Sequence, residues 1–304
     1  MKNPLISVVI PAHNRKDGLN KLLDSLISQT YSNKEIIVVD DSTPPLNPSF
    51  AEIRYIHIPP TSNTKARNEG IRQAKGDIIA FTDDDCIADK DWLERIACHF
   101  QNDSVSGVEG KTIAEKMAVN YHATENLTGG KYPTCNLAFL ASVLKETGGF
   151  DEKYGFFRED TDLAFAALSK NRRIVFAEDV VVFHPPRKVS ARTPLRELKM
   201  IRSDIRLWKK YQFLYRRHFG RLGGGGVKTS AIVWLLSLAA VYLLFSFPIL
   251  LAVPLAMVIL LKYFLHLRKR IFSFRWTDYI VFSWARDILY PFFFVYYFLS
   301  EKGK

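Results

Sequence analysis

Apolar residues in the first 90 positions follow two alternating spacings. Four segments rich in apolar residues have the length of strands, and they are residues 5–10, 35–39, 53–58 and 77–81, of which 5–10 is a continuous apolar run. Residues 19–27 and 64–74 instead carry apolar side chains at helical spacing, and Gly76 ends the second of these segments. Strands that alternate with helices predict an α/β domain, in which a mostly parallel sheet is sandwiched by helices.

Polar or acidic residues directly follow three of these predicted strands. The segments are residues 11–15, 40–41 and 83–85. Ligands of open parallel sheets bind beyond the carboxyl ends of the strands. We therefore expect the functional site at this edge of the sheet.

Three consecutive carboxylates, Asp83, Asp84 and Asp85, follow the fourth predicted strand. Like charges this close resist joint ionisation unless a cation neutralises them. Mg²⁺ and Mn²⁺ prefer oxygen ligands and often share them with substrate phosphates, so either ion suits the cluster. The alternative is an acidic turn in a solvated loop.

Residues 229–261 contain no charged side chain, and this changes the picture for the C-terminal part. One helix of that length would exceed a bilayer core of about 30 Å, and Pro248 and Pro254 disfavour a single rod. We expect two helices, 229–247 and 248–267, which form a transmembrane hairpin. Lys and Arg on both flanks place the two ends on the cytoplasmic side. The alternative is a buried helix pair of a soluble protein.

A further apolar stretch covers residues 279–299 but has Arg286 and Asp287 near its middle. Charges at the centre of a membrane span are unfavourable by about 2.5–3.5 kcal/mol. The stretch fits an interfacial helix, a re-entrant helix or a third span, and the sequence leaves this open with a slight preference for the span.

The charge is unevenly distributed. The chain has 42 Lys and Arg against 31 Asp and Glu, a formal net charge of +11. Residues 1–186 carry 21 basic against 26 acidic side chains, whereas residues 187–228 carry 13 against 2. From Thr193 the basic segment has apolar residues at helical spacing, which predicts an amphipathic helix on an anionic membrane leaflet. The alternative is a helix packed on protein with a solvated basic face.

These patterns divide the chain into four parts: residues 1–186, 187–228, 229–267 and 268–304. They predict an integral membrane protein with its catalytic domain on the cytoplasmic side and no nucleic-acid partner. A content of 48% hydrophobic and 24% charged residues excludes a disordered or fibrous chain. Three scattered cysteines, Cys86, Cys98 and Cys135, favour a reducing compartment, and the first residues do not resemble a signal peptide.

Several segments, in the right order, resemble the motifs of family-2 glycosyltransferases. They are residues 8–15, 35–42, 66–70, 81–85, 148–152, 159–163 and 183–184. The resemblance implies the GT-A fold, an inverting reaction and a nucleotide-sugar donor. It also implies a metal ion, Mg²⁺ or Mn²⁺, which bridges the donor diphosphate.

The resemblance assigns roles on the donor side of the site. Pro11, Ala12, His13 and the carboxylate of Asp40 would hold the base, typically uracil, with Arg67 close to the nucleotide. A second group of residues would act on the sugar and the metal. Asp84 would approach the ribose or donor sugar, Asp83 and Asp85 would engage the metal, and His184 would be an additional metal ligand.

On the acceptor side, the resemblance makes Asp160 the general base, with Glu159 and Asn136 nearby. Taken alone, Asp160 could simply cap a helix. By the same reasoning Asp40 and His184 could be turn residues, and Arg67 could lie on a helix surface.

Two departures from the family pattern matter. His13 stands where the family usually has an aromatic residue, and no Gln-x-x-Arg-Trp motif occurs. The absence of the Gln-x-x-Arg-Trp motif favours transfer of a single sugar. The C-terminal segments suggest a lipid-linked or membrane-proximal glycan as acceptor. The alternatives are a sugar nucleotidyltransferase and a non-catalytic membrane scaffold that binds anionic lipid or nucleic acid.

Overall fold

The computed structural model describes residues 2–114, 121–122, 124–155, 157–188, 192–222, 229–239, 256–261 and 276–301. The chain divides into two compact units. Unit 1 comprises Met1–Lys116 and Ala123–Pro186, and unit 2 comprises Met117–His122 and Arg187–Lys304.

The described strands and helices are as follows. The strands are β1 (Ile6–Ala12), β2 (Lys34–Asp40), β3 (Ile53–His57), β4 (Ile78–Phe81), β5 (Ile87–Ala88), β6 (Val105–Ala114), β7 (Tyr121–His122), β8 (Leu137–Leu140), β9 (Arg173–His184) and β10 (Arg187–Lys188). The helices are α1 (Lys16–Ile27), α2 (Asn63–Gln73), α3 (Trp92–His99), α4 (Ala141–Thr147), α5 (Glu159–Ser169), α6 (Thr193–Lys210), α7 (Gln212–Phe219) and α8 (Trp276–Ser300).

An eight-stranded sheet in the order β3-β2-β1-β4-β8-β6-β9-β5 forms the centre of unit 1. The four predicted strands are β1 to β4, and their pairs are all parallel, which confirms the sequence prediction for this half. Beyond β4 the sheet is mixed, because β8 pairs antiparallel with both β4 and β6. The fold is therefore mixed α/β rather than mostly parallel throughout.

Helices cover both faces of this sheet, as the apolar runs predict. Successive residues of β1 point to opposite faces, so Val8 belongs to the core beneath α1 and α3, whereas Val9 belongs to the core beneath α4 and α5. On the first face Leu19 and Leu23 of α1 are completely buried. Burial on both faces explains why these strands are continuous apolar runs.

In unit 2, the apolar face of α6 packs against the aromatic side chains of α8. Leu198, Ile201 and Ile205 contact residues from 290 to 297 of α8. Glu301, just beyond α8, accepts hydrogen bonds from Arg202 and Arg206 of α6. The predicted docking of this basic helix on an anionic leaflet is corrected here, because its apolar face is covered by protein.

The predicted membrane spans are also corrected. Within the described residues, no helix combines the length and the apolar character that crossing a bilayer requires. α8 has Arg286 and Asp287 near its middle, and Arg286 pairs with Glu197 of α6 at 2.5 Å. This finding corrects the predicted third span and the predicted integral-membrane localisation, and it corrects the transmembrane hairpin at 229–267 only as far as the described residues of that segment reach. Residues 240–255 and 262–275 of these segments lie outside the described residues.

Candidate active site

The ends of β1, β2 and β4 meet at one edge of the sheet, as expected for adjacent parallel strands. The backbone N–H of His13 donates to Asp84 Oδ2 at 2.9 Å. The backbone N–H of Asn14 donates to Ser42 Oγ at 2.7 Å. Three loops that are distant in sequence are therefore hydrogen-bonded into one surface.

Asp40 is completely buried at the end of β2. Its carboxylate accepts hydrogen bonds from the backbone N–H groups of Ser42 and Leu46 and from the hydroxyl of Tyr55. Burial works to raise the pKa of Asp40, but the hydrogen bonds from Leu46, Ser42 and Tyr55 outweigh it and lower the pKa below its ordinary value. Both oxygens of Asp40 thus hold the loop after β2 in place.

Asp41, the next residue, lies closer to the predicted base-binding residues and was not singled out by the sequence. Its Oδ1 is 2.7 Å from His13 Nδ1, and its Oδ2 accepts from the backbone N–H of Thr61 at 2.9 Å. His13 itself is exposed. No signal for this was present in the sequence, because the role of Asp41 depends on which residues lie across the loop from it.

Two arginines pair with the acidic cluster that follows β4. Arg67 Nη2 donates to Asp83 Oδ1 at 2.8 Å. Arg15 Nη1 donates to Asp84 Oδ1 at 2.7 Å and to Asp85 Oδ2 at 3.3 Å. Asp84 is buried, and this burial is the main cause that raises its pKa. The cluster lies in a turn after β4, but its carboxylates pair with arginines and are mostly buried, which argues against a merely solvated acidic loop.

Asp85 also lies close to His184, at the end of β9. His184 Nε2 is 3.8 Å from Asp85 Oδ1, and His184 Nδ1 lies 2.9 Å from the carbonyl oxygen of Pro185. One donor atom each from Asp85, Cys86 and His184 lies within 4.8 Å of the other two. The carboxylate suits a divalent ion such as Mn²⁺, whereas a thiolate is the ligand that softer ions prefer. The hydrogen bond with Cys135 and burial raise the pKa of the Cys86 thiol, so Asp85 and His184 are the better candidate ligands. Cys86 was missed as a candidate because a single cysteine in a sequence gives no ligand spacing.

Asp160 lies in the first turn of α5 and is partly exposed. Its Oδ1 accepts from the backbone N–H of Thr161 at 2.6 Å and from Thr161 Oγ1 at 3.2 Å. Burial and then the neighbouring charge of Glu159 raise the pKa of Asp160 to about 7. A carboxylate with this pKa can both accept and release a proton near neutral pH.

Arg67 joins the acidic cluster to the start of α5. The guanidinium is buried, and its Nη1 is 3.6 Å from Glu159 Oε1 while its Nη2 bonds Asp83. It also lies 5.6 Å from the ring centroid of Phe150. This placement excludes the alternative of a helix-surface arginine and brings Asp83 and Asp160 to the same site.

A second contact fixes α2 against the loop before α5. The side-chain amide of Asn68 donates to the carbonyl oxygen of Phe150 and accepts from its N–H, both at 2.9 Å. Gly149 has a φ of +73°, and a Cβ there would lie 2.7 Å from Asn68 Oδ1. The glycine motif at 148–149 therefore allows the close approach that holds Phe150 beside Arg67.

Asn136 lies inside the fold. Its amide Nδ2 donates to the carbonyl oxygens of Lys111 and Val180, at 3.0 and 2.9 Å, and its Oδ1 accepts from Trp92 Nε1 at 2.9 Å. It is 1% exposed. These bonds connect α3, β6 and β9, so the amide of Asn136 is engaged in holding the sheet.

Two family models match the chain. The one described as glycosyl transferase family 2 covers residues 7–148, and the one described as glycosyl transferase family group 2 covers residues 78–299. The chain belongs to the family-2 glycosyltransferases. The motif resemblance is thereby confirmed, and the enzyme is a glycosyltransferase that uses a nucleotide-sugar donor.

Curated relatives agree with this assignment. Glycosyltransferase AglE of Haloferax volcanii is 28% identical over 240 residues, which cover 71% of this chain and 78% of AglE. The pre-mycofactocin glycosyltransferase of Mycobacterium tuberculosis is 27% identical over 207 residues, which cover 60% of this chain and 43% of that protein.

A solved structure shares the fold of this glycosyltransferase. The mannosyltransferase PcManGT from Pyrobaculum calidifontis, in complex with GDP-Man and Mn²⁺, superposes with a TM-score of 0.59 at 17% identity. The match covers 96% of this chain and 87% of PcManGT. At this identity the likeness shows the fold alone.

Proposed function

We propose that this glycosyltransferase moves one sugar from a nucleoside-diphosphate sugar to a hydroxyl group of a glycan acceptor, with inversion at the anomeric carbon. The observation that carries the proposal is the position of Arg67, which pairs with Asp83 on the donor side and approaches Glu159, next to Asp160, on the acceptor side. A donor-binding acidic cluster and a base with a pKa of about 7 therefore share one site.

On the donor side, we expect the loop at the end of β1 to bind the nucleobase. Pro11 and Ala12 end that strand, and the paired side chains of His13 and Asp41 lie beside it. We include Asp41 because both oxygens of Asp40 already accept hydrogen bonds from the loop after β2. Asp40 then acts by fixing that loop.

Asp85 and His184 would hold a divalent cation, with Cys86 close to it, while Asp83 is paired with Arg67 in the same acidic cluster. Such a cation acts as a Lewis acid that neutralises the charge developing on the leaving diphosphate. The Mn²⁺ in the PcManGT complex supports this choice of ion. Asp84, whose carboxylate is oriented by His13 and Arg15, faces the same loops and would contact the ribose or the donor sugar.

On the acceptor side, Asp160 would remove the proton of the attacking hydroxyl. Its raised pKa makes the carboxylate a stronger base than an ordinary aspartate, and enough of it is ionised at neutral pH to react. Thr161 orients the carboxylate through two hydrogen bonds. Attack from the side opposite to the leaving group then inverts the anomeric carbon.

A panel of nucleotide sugars that includes GDP-mannose and UDP-hexoses tests the proposal. In the presence of Mn²⁺, we expect one donor to release free nucleoside diphosphate slowly with water and faster with a glycan acceptor. Release of pyrophosphate from a nucleoside triphosphate and a sugar phosphate would instead identify a nucleotidyltransferase. No donor turnover, and no thermal stabilisation by any nucleoside diphosphate, would favour a non-catalytic protein.

A further inference from the structure

Arg15 occupies an unusual position for an arginine at the mouth of a nucleotide site. Its Nη1 bonds two carboxylates, Asp84 and Asp85, whose side chains are only 5% and 11% exposed. The Arg15 side chain is itself 43% exposed. Within the part of the chain that the structure describes, its Nε and Nη2 make no hydrogen bond. One nitrogen of the guanidinium thus neutralises two buried carboxylates, while the other two nitrogens are left for a further partner.

The start of α1 places Arg15 there. Arg15 directly precedes α1, and its carbonyl oxygen accepts from the N–H of Leu19. In the first turn, a Cβ on Gly18 would lie 2.9 Å from the carbonyl oxygen of Asp84. Only glycine permits this close packing of the helix against the acidic loop. Arg15 is therefore fixed over the cluster by its backbone, while its long side chain keeps its freedom to turn.

Formal charges show what Arg15 does in the free enzyme. The three carboxylates at residues 83–85 face two guanidinium groups, Arg15 and Arg67, which leaves one net negative charge. Arg67 is buried between its partners, whereas Arg15 is half-exposed. A divalent cation at Asp85 would make the cluster net positive with both arginines in place. Arg15 can leave without becoming a buried, unpaired cation. Asp84, which it leaves, keeps the hydrogen bond from the N–H of His13 and would lie beside the divalent cation.

We propose that Arg15 is an exchangeable counter-ion, which pairs with Asp84 and Asp85 in the free enzyme and turns to the diphosphate of the donor when a divalent cation binds at Asp85. This inference rests on the proposed function, because it needs the metal and the diphosphate at this edge. Arginine suits the task, since its planar fork binds carboxylate and phosphate oxygens equally well.

Two opposite consequences follow for a variant that lacks the guanidinium. Without Arg15, no guanidinium competes with Mn²⁺ for the carboxylate of Asp85, so Mn²⁺ alone should bind the variant more tightly than it binds the wild-type enzyme. Without Arg15, the diphosphate loses a charge-assisted bond, so a nucleoside diphosphate binds more weakly even with Mn²⁺ at saturation. Loss of a merely structural contact would weaken both.

Isothermal titration calorimetry on the full chain measures both constants. The variants are Arg15→Gln, which removes the charge, and Arg15→Lys, which keeps it without the fork. Lys21→Gln is the matched control, because it removes one positive charge from an exposed position of α1. The titrants are MnCl₂ alone, then GDP and UDP at saturating Mn²⁺, then the corresponding nucleosides.

For Arg15→Gln we expect Mn²⁺ to bind severalfold tighter and the better-binding diphosphate to bind about tenfold weaker, with nucleoside affinity unchanged. Arg15→Lys should keep the wild-type Mn²⁺ affinity and lose part of the diphosphate affinity. The control should match the wild type. Equal or weaker Mn²⁺ binding by Arg15→Gln, or unchanged diphosphate affinity, would overturn the role of Arg15. If the wild-type enzyme itself binds neither titrant, the proposed function fails instead.

Discussion

At the scale of single residues, the proposed general base is Asp160. Its neighbours on the described elements are Glu159, which raises its pKa, and Arg67, which opposes that effect through its positive charge. Thr161 fixes the direction of the carboxylate. The residue is thus adjusted for proton transfer near neutral pH, beyond what capping α5 would require.

Replacing Asp160 by asparagine removes the base and keeps the shape. We expect kcat to fall by about 10²–10⁴-fold, the usual contribution of a positioned general base, while the Kd for the nucleoside diphosphate is unchanged. Steady-state kinetics and calorimetry measure the two quantities. Asp103→Asn, on an exposed turn, is the control and should behave like the wild type. An unchanged kcat in Asp160→Asn would remove the base role.

The pKa of Asp160 predicts the pH dependence of turnover. The carboxylate must be deprotonated to accept a proton, and its pKa is about 7, so kcat should rise as the pH increases through about 7 and level off above it. The residual rate of Asp160→Asn should lack this rise. A profile in which the rise is centred near 4, the ordinary value for aspartate, would show that Asp160 is not perturbed in the working enzyme.

The sequence predicted the site residues unequally, for physical reasons. Asp83, Asp84 and Asp85 directly follow a predicted strand, so the sequence indicates that they lie at the sheet edge, whereas Asp160 was singled out only by the family resemblance. Asp41 and Cys86 were missed, since their roles depend on which neighbour lies across the loop. The sequence also does not show that both carboxylate oxygens of Asp40 accept hydrogen bonds from the backbone N–H groups of Ser42 and Leu46.

At the scale of elements, apolar runs predicted β1, β2 and β4 because both faces of these strands are buried, whereas β3 is only partly buried and contains polar residues. The antiparallel strand β8 is also apolar, but it leads directly into α4, so its pattern does not distinguish a strand from a helix. It is four residues long and enters the sheet between β4 and β6, far from both in sequence, so only tertiary pairing defines it. For the same reason, the partner of the apolar face of α6 could not be read from its periodicity.

The contact between α6 and α8 yields a prediction for unit 2. Glu301 is 6% exposed and pairs with Arg202 and Arg206, and those pairs help to lower its pKa although burial opposes them. We expect Glu301→Gln to destabilise unit 2 by about 1–2 kcal/mol, since two charge-assisted bonds become neutral ones. Hydrogen exchange of α6 amides measures the loss.

Glu52→Gln, at an exposed position before β3, is the control for that experiment and should leave the exchange of α6 unchanged. Protection of α6 in Glu301→Gln equal to that of the wild type would show that the apolar contact alone holds the two helices together.

At the scale of the whole molecule, charge and hydropathy misled the sequence interpretation. An uncharged run with basic residues nearby resembles a membrane hairpin, yet basic residues of a helix can also pair with acids of a neighbouring helix. Arg202 and Arg206 of α6 pair with Glu301, and Arg286 of α8 pairs with Glu197. The sequence could not show these pairs, because the acidic partners are far away along the chain.

The central claim is that the edge of the sheet in unit 1 binds the donor diphosphate through a divalent cation. Anomalous diffraction at the manganese edge, from crystals grown with Mn²⁺ and a nucleoside diphosphate, tests it most directly. We predict an anomalous peak within about 2.0–2.6 Å of an Asp85 oxygen and close to His184 Nε2. Nucleotide density at the loop after β1 without a manganese peak at Asp85, or a peak elsewhere in the chain, would contradict the account.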